Sequence, residues 1–532
     1  MSCRIVAFSL ALVATAFGQV AAGGDLSTIE GSVVNLAQNV PIANATVLLT
    51  PADPRQALTV NSSADGHFVF RDVASGKYRL SANRRGFVDD GREASLLTLQ
   101  AGQSLQAFVI RLTPLAALAG RVFDDSGEPV PGAVVEVLRP VYAHHKRMLI
   151  PVSSTSSNDL GEFRAHSLTP GRYLVRVQYR APMEKFGYAP VFFPNAEAAN
   201  TAQAVELPAG QTQQGINFLL RRVPVFSIAG RLTGPAAGKV TSVWFQAGFS
   251  STNQESTSNG KEAAQVHDGS FEITGVRPGR HLLSAEEFGS SGGPKSSGRV
   301  VVDVSDRNVE SVQLSLLPVQ ELTGRVVMDA PSKRSPESFS SGKGLPLVVH
   351  LIPREFSDLG SLPGGPVERS GEFKVTGASA QAFDVELVNL APDLFLKTVR
   401  RGTSDVDDRG VDLSQGAAGG ITLVLSDTGG TVDGTVQTET AAPASAIVIA
   451  VPSSGQNINW KESVSDQQGH FTLQGIAPGD YRLYAFGYTE MGAPEDPDLL
   501  KRLEGSSQKI RIDAHDRKVV SIRVITASAL LE

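Results

Sequence analysis

The sequence predicts an all-β chain made of about five tandem domains, and three observations carry that reading. A short pattern recurs five times, clearest at Asp466 to Ala485. A glycine stands two residues before a phenylalanine, and a second ring-type residue follows ten residues after it. The copies are Gly66, Phe68 and Tyr78; Gly161, Phe163 and Tyr173; Gly269, Phe271 and His281; Gly371, Phe373 and Phe383; Gly469, Phe471 and Tyr481. Apolar residues then follow two and four positions on, as at Leu80 and Ala82 or Leu483 and Ala485, which is the period of a strand with one buried face. The second observation is domain-sized spacing. Each copy opens with apolar-x-Gly-x-apolar around Gly31, Gly120, Gly230, Gly324 and Gly434, which lie 89, 110, 94 and 110 residues apart. That is too long for a solenoid unit and long enough to bury a core. The third is composition. With 52 glycines, 30 prolines and ordinary charge among 532 residues, the chain suits many strands joined by turns.

Within each copy the elements follow in one order. A turn and a second strand come after the opening strand, as in Pro41 to Leu49 and Pro129 to Val137. Copies three to five place Val243-Trp244-Phe245, Leu347 to Leu351 and Ile447 to Val451 there. The phenylalanine strand and the second ring-type strand are joined by Pro170-Gly171, Pro278-Gly279 or Pro478-Gly479 in three copies, a turn in which Pro presets the first dihedral and Gly relaxes the next. An alternating strand closes each copy: Phe108 to Leu112, Ile216 to Leu220, Val312 to Leu316, Ile421 to Leu425 and Val520 to Val524. Proline or glycine after the first four marks the linkers. Tyr142 to Pro151, Ser250 to Gly260 and Pro331 to Gly344 read as surface-loop insertions. One helix is expected over Asp496 to Gly505, with an acidic N-cap, Pro at the first helical position and a terminal Gly.

These limits give domains at 23–113, 114–223, 224–318, 319–428 and 429–532, the fourth being the divergent copy. Residues 1–22 read as a secretory signal peptide: a short basic start, an apolar run from Ile5 to Phe17, and small residues at Val20-Ala21-Ala22. Cys3 is the one cysteine and would leave with that peptide, so no disulfide and no thiol chemistry is expected. The expected localisation is periplasm, outer-membrane surface or medium of a bacterium. Residues 23–532 carry a net charge of −7 and no basic run, which argues against a nucleic-acid partner. No later apolar stretch is long enough to span a bilayer.

The ordered motifs G-x-V, P-x-x-x-A-x-V-x-V, D-x-x-G-x-F and P-G-x-Y-x-L-x-A resemble the carboxypeptidase regulatory-like domain. Copies one, two and five match well. Copy three has His281 for the second aromatic, and copy four has Ala380-Gln381 for Pro-Gly. The resemblance implies transthyretin-like, Ig-like β-sandwiches of about seven strands, grouped with carbohydrate-binding-like folds. The whole chain is similar to multi-copy secreted bacterial proteins of acidobacterial type. In metallocarboxypeptidases such a module stands beside the catalytic domain and catalyses nothing itself.

No catalytic, cofactor or metal residue is expected. No histidine has Glu three residues on, so the zinc carboxypeptidase signature is missing. His144-His145 reads as a solvated loop pair, and Asp405-Val406-Asp407-Asp408 as an acidic turn without calcium-loop spacing. Gly289-Ser290-Ser291-Gly292-Gly293 matches a nucleophile elbow by letter, yet Pro294 follows where a helix is required. Lys–Asn crosslinks of the pilin kind are not expected, because Ser32, Arg121, Arg231, Arg325 and Thr435 follow the opening glycines. His67 and His470 alternate with buried phenylalanines and should face out.

Sugar binding needs exposed rings beside polar groups. Trp244 lies in an apolar strand and reads as core. Trp460, among polar neighbours, is the better platform, and the aromatic run holding Tyr188, Phe192 and Phe193 is either a binding rim or a loop tucked over the sandwich. The function expected is a non-enzymatic exported protein for binding or display at the bacterial envelope, with carbohydrate as ligand class by analogy of fold. The alternatives are a structural or protein-interaction spacer and an accessory module of a separate enzyme. An envelope protein is the other expected partner.

Overall fold

In a computed structural model the chain is described at residues 26–51, 54–89, 95–143, 146–179, 186–234, 237–247, 261–289, 293–329, 332, 334–342, 344–354, 362–402, 404–406, 410–414, 416, 419–444, 446–453, 460–466, 468–487 and 496–526. It is a tandem array of β-sandwiches. The chain divides into two compact units, one ending at Leu115 and the other beginning at Ala116. The first unit holds one core, around Ile29, Val47, Phe68, Leu80 and Leu112. In the second, the sandwich cores centre on Phe163 and Tyr173, on Phe271 and Leu283, on Phe373 and Phe383, and on Phe471 and Tyr481.

The two constants of the sequence pattern turn out to be partners. Each opening glycine sits directly across an antiparallel ladder from the phenylalanine of its own copy: Gly31 from Phe68, Gly120 from Phe163, Gly230 from Phe271, Gly324 from Phe373 and Gly434 from Phe471. Glycine is required there by space. A Cβ on Gly230 would lie 2.6 Å from the Phe271 ring and 2.3 Å from the Val312 carbonyl oxygen of the closing strand. At Gly434 the corresponding distances, to Phe471 and Val520, are both 2.6 Å. The ring thus lies over its glycine and fills the gap left by the missing side chain.

The opening strand also pairs in parallel with the closing strand, as Gly31 with Phe108, Gly230 with Val312, Gly324 with Ile421 and Gly434 with Val520. Copy two departs from this. Its closing segment forms two short ladders, at Thr212–Gln213 and Phe218–Leu219, with the Ile216 N–H donating to the Ala119 carbonyl at 3.2 Å between them. The second sheet is built on the ring-type strand, which pairs antiparallel with the second strand: Val47 with Ala82, Val135 with Val177, Phe245 with Leu283, Leu351 with Val385 and Ala450 with Leu483. These inward pairs form the cores.

The second ring-type residue has a polar duty that spacing alone did not reveal. Tyr78 and Tyr173 donate their hydroxyls to the carbonyls four residues back, Ala74 at 2.9 Å and Thr169 at 2.5 Å. His281 does the same through Nε2, 2.7 Å from the Arg277 carbonyl. The connection is therefore tied to the strand that follows it. Phe383 has no polar tip. In its copy the buried Gln381 instead closes the turn on Ser379, through its backbone N–H at 2.9 Å and its amide at 2.6 Å.

Two insertions read as loops contain defined elements among the described residues. Residues 146–156 form the strand Lys146–Ser156, paired along Val134–Ala143 in a long hairpin. In the 331–344 stretch, a short 3-10 turn at Pro336–Ser338 delivers Phe339 into the fourth core, where it is 1% exposed. Neither insertion shows strong alternation or helical periodicity, so long-range packing had to decide them. Residues 250–260 lie outside the described residues. The expected helix is present as α1 (Pro497–Arg502), with Asp496 capping the N–H groups of Asp498 and Leu499 at 2.9 and 3.1 Å.

Candidate functional site

Register identifies one outward-facing position shared by all copies, in the second strand between the two inward residues. It holds Leu48, Glu136, Trp244, His350 and Ile449. What covers this position differs sharply from copy to copy.

In copy two the chain covers it. Val191–Phe192 pairs with Arg176 and Val177, and Phe192 packs with Leu138, Leu149 and Leu174. Beneath lies an ion pair, with Arg176 Nη2 and Nε donating to Glu136 Oε2 at 2.6 and 2.9 Å. The two side chains are 8% and 1% exposed. Arg176 also stands over the Phe192 ring, 5.8 Å from its centroid.

In copy five α1 covers the position. Leu499, Leu500 and Leu503 pack on Ile449, Tyr484 and Phe486, and Tyr484 donates its hydroxyl to the Leu500 carbonyl at 3.1 Å.

The expected ring platforms are therefore placed as follows. Phe192 is 2% exposed and Tyr188 8%, so neither offers a ring face to solvent. Phe193 packs on the second core, edge-on to Phe218 with centroids 6.2 Å apart. Trp460 is partly buried against the cluster under α1. Of the two tucked-loop and rim readings for the 186–195 run, these contacts match the tucked loop. The tryptophans exchange roles. Trp244 was expected in the core, but Val243 and Phe245 take the inward positions and leave Trp244 41% exposed. Alternation along Val243-Trp244-Phe245 carried that signal, since neighbours in a strand face opposite ways.

On the sheet of copy three that holds the opening and closing strands lies an open groove of about 860 Å³. Arg231, Gln265, His267, Glu272 and Gln313 line it with small hydroxyl residues. The place that three other copies give to a buried serine, used as a staple, is held in copy three by Val266, the residue after Gln265. Ser62, Ser157 and Ser465, each six residues before the phenylalanine, accept from Ala45, Ala133 and Ala446 N–H and donate to Ile42, Val130 and Ala444 carbonyls. Copy three lacks that staple, and Gln265 points out.

One buried and one half-buried titratable group stand apart from this surface. His281 is 2% exposed and lies tilted against Phe245, with ring centroids 5.1 Å apart. Burial lowers its pKa, against the hydrogen bond to Arg277, and Nδ1 has no hydrogen-bond partner among the described residues. Lys461 Nζ donates to the carbonyls of Leu394 at 2.7 Å and Pro392 at 3.3 Å, and burial lowers its pKa to about 8. It stays protonated at neutral pH.

Among the described residues no group of three or more His, Cys, Asp or Glu side chains is placed to hold a metal ion. His67 Nε2 faces Glu30 at 3.0 Å and His470 faces Asp466 at 3.4 Å, both at the surface. His144-His145, Asp407-Asp408 and Ser290 to Gly292 lie outside the described residues. No described helix is long and apolar enough to cross a membrane.

The model of the carboxypeptidase regulatory-like domain matches two successive stretches of the chain, residues 28–113 and 117–221. No curated protein matches the chain. Among solved structures it is similar to the minor pilin GBS52 of Streptococcus agalactiae, at 12% identity and a TM-score of 0.23, over 37% of this chain and 97% of the pilin. A streptococcal ancillary pilin is similar at 11% identity and a TM-score of 0.19, over 55% of this chain and 99% of that one. The major pilin subunit BcpA of Bacillus cereus is similar at 8% identity and a TM-score of 0.15, over 55% and 99%.

Proposed function

We propose that this chain is a non-enzymatic exported scaffold, in which tandem sandwiches act as a spacer and present their outer faces to partners at the cell envelope. The observation that carries this reading is where the repeated residues go. Each opening glycine, each phenylalanine, and Tyr78, Tyr173 and His281 are spent on core packing or on closing a turn. Nothing repeated is left for chemistry. The junction of copies four and five supports a spacer. Lys461 of copy five grips the Pro392 and Leu394 carbonyls of copy four. Gly475 receives the same turn, at a φ of +63° and with room for no Cβ, which would sit 2.5 Å from the Pro392 oxygen.

Export through cleavage of residues 1–22 belongs to this reading, as do domain limits of 23–113, 114–223, 224–318, 319–428 and 429–532. Cell fractionation with and without residues 1–22 tests the first, and limited proteolysis the second. The spacer itself is tested by distance measurements between spin labels on copies four and five. One narrow distribution, broadened by Lys461→Met, is expected. A broad distribution in the unaltered protein would mean a flexible tether and defeat the proposal.

A further inference from the structure

We propose that a bulge shared by the copies serves in copies four and five as a docking socket, which takes a proline-bearing turn of the preceding copy and holds copies three, four and five in one stiff run. The inference deepens the scaffold reading and rests on it. The bulge lies four residues after each phenylalanine, where the ladder to the opening strand shifts register. Its residue is left-handed in every copy: Asp72, Ser167, Gly275, Gly377 and Gly475 have φ of +56°, +61°, +73°, +81° and +63°. Asp72 and Ser167 show that the fold admits a side chain at this dihedral. The dihedral alone therefore does not demand glycine in copies four and five.

A neighbour does demand it. At Gly475, which is buried, a Cβ would lie 2.5 Å from the Pro392 oxygen and 2.7 Å from the Asp393 carbonyl carbon of copy four. Lys461 grips the same turn through the carbonyls of Pro392 and Leu394, so two strands of copy five, Lys461–Val464 and His470–Ile476, hold it. At Gly377 the neighbour is Pro294 of copy three. A Cβ there would stand 3.6 Å from Pro294 Cγ and 3.9 Å from Cδ, which leaves room for one added carbon and little more. Both prolines follow the second ring-type strand of their own copy, Gly279–Phe288 or Ala382–Val388. Pro294 also opens the strand that carries the linker. Ser296 and Ser297 pair with Pro318 and Leu317, and the Val319 N–H donates to the Lys295 carbonyl at 2.9 Å. Linker and turn thus reach copy four from one strand and fix it at two points. Gly275 gives the contrast: it is exposed, and no described residue lies within 4 Å of a Cβ built there.

The experiment measures distances between spin labels in the full chain, with one pair across the joint of copies three and four and another across that of four and five. Each pair should give one narrow distribution. Asparagine, which tolerates left-handed backbone, is then placed at each bulge in turn. Gly475→Asn should abolish the narrow distribution between copies four and five. Gly377→Asn should broaden that between three and four, and Gly275→Asn should change neither. Pro294→Ala removes the ring carbons facing Gly377 without touching a bulge, and it should broaden the three–four distribution alone. A broad three–four distribution in the unaltered chain would overturn the proposal and leave the scaffold reading intact. So would a four–five distribution that stays narrow in Gly475→Asn. A four–five distribution already broad in the unaltered chain would defeat the scaffold reading and this proposal with it.

Discussion

Glu136 and Trp244 occupy the same place in the second strand of copies two and three, yet one is buried under its own chain and the other stands in solvent. Their inward neighbours are interchangeable in kind: Val135 and Val137 in one copy, Val243 and Phe245 in the other, all in the core. The inner face of the sheet thus obeys a common rule, while the outer face is decided by whatever the insertions supply. Copy two supplies the 186–204 segment, copy five supplies α1, and copy three leaves the ring open. A carboxylate tolerates burial in copy two because Arg176 is buried with it. A tryptophan stays exposed in copy three because no described segment lies over it.

The comparison can be broken most severely at the covered face of copy two. Glu136→Ala leaves Arg176 buried without its partner, which should cost about 3–5 kcal/mol. Hydrogen exchange in Val134–Ala143 and Gly171–Gln178 should accelerate, with copy three unaffected. Protection equal to the unaltered protein would mean that the segment does not seal the pair. Removing cover in copy five is the next largest change. Leu500→Ala should destabilise that face by about 2 kcal/mol and shift Trp460 fluorescence toward that of a solvated indole. An unshifted spectrum would count against packing of Trp460 under α1.

A third change tests the ring-type position. Burial holds the folded His281 pKa below 6.5, so the unfolded chain takes up the proton first. The stability contribution is complete above pH 6.5 and is lost as pH falls from 6.5 toward the folded value. Copy three should therefore loosen in mild acid before copies one and two, and His281→Tyr should abolish that slope. Urea unfolding of copy three at several pH values measures it, and a slope kept by the tyrosine variant would assign the effect elsewhere. The smallest effect is expected at the open face. Trp244→Ala should cost about 1 kcal/mol, less than the loss of a fully buried ring, since the residue is 41% exposed. A larger loss in thermal unfolding would show the ring to be part of the core's support.

Much of the fold was legible in the residues. Period-two alternation marks which side chains enter a core, and the Gly, Phe and Tyr spacing is uniform because each phenylalanine must meet its glycine across a ladder. The cap of α1 was legible for the same local reason, since Asp496 and Pro497 act within one turn. The sites were less so. Tyr188, Phe192 and Trp460 resemble ring platforms in sequence, and only contacts from distant segments show them covered.

What the sequence by itself determined is the set of residues that face inward and the turns that join them. Those depend on short-range periodicity and dihedral preference. Tertiary structure alone decided which outward residues are buried, which strands carry Lys461 and Gly475 to the Pro392 turn, and that no described segment covers Trp244. Burial of an outward residue requires a partner surface from another part of the chain, and no local pattern records where that surface will come from.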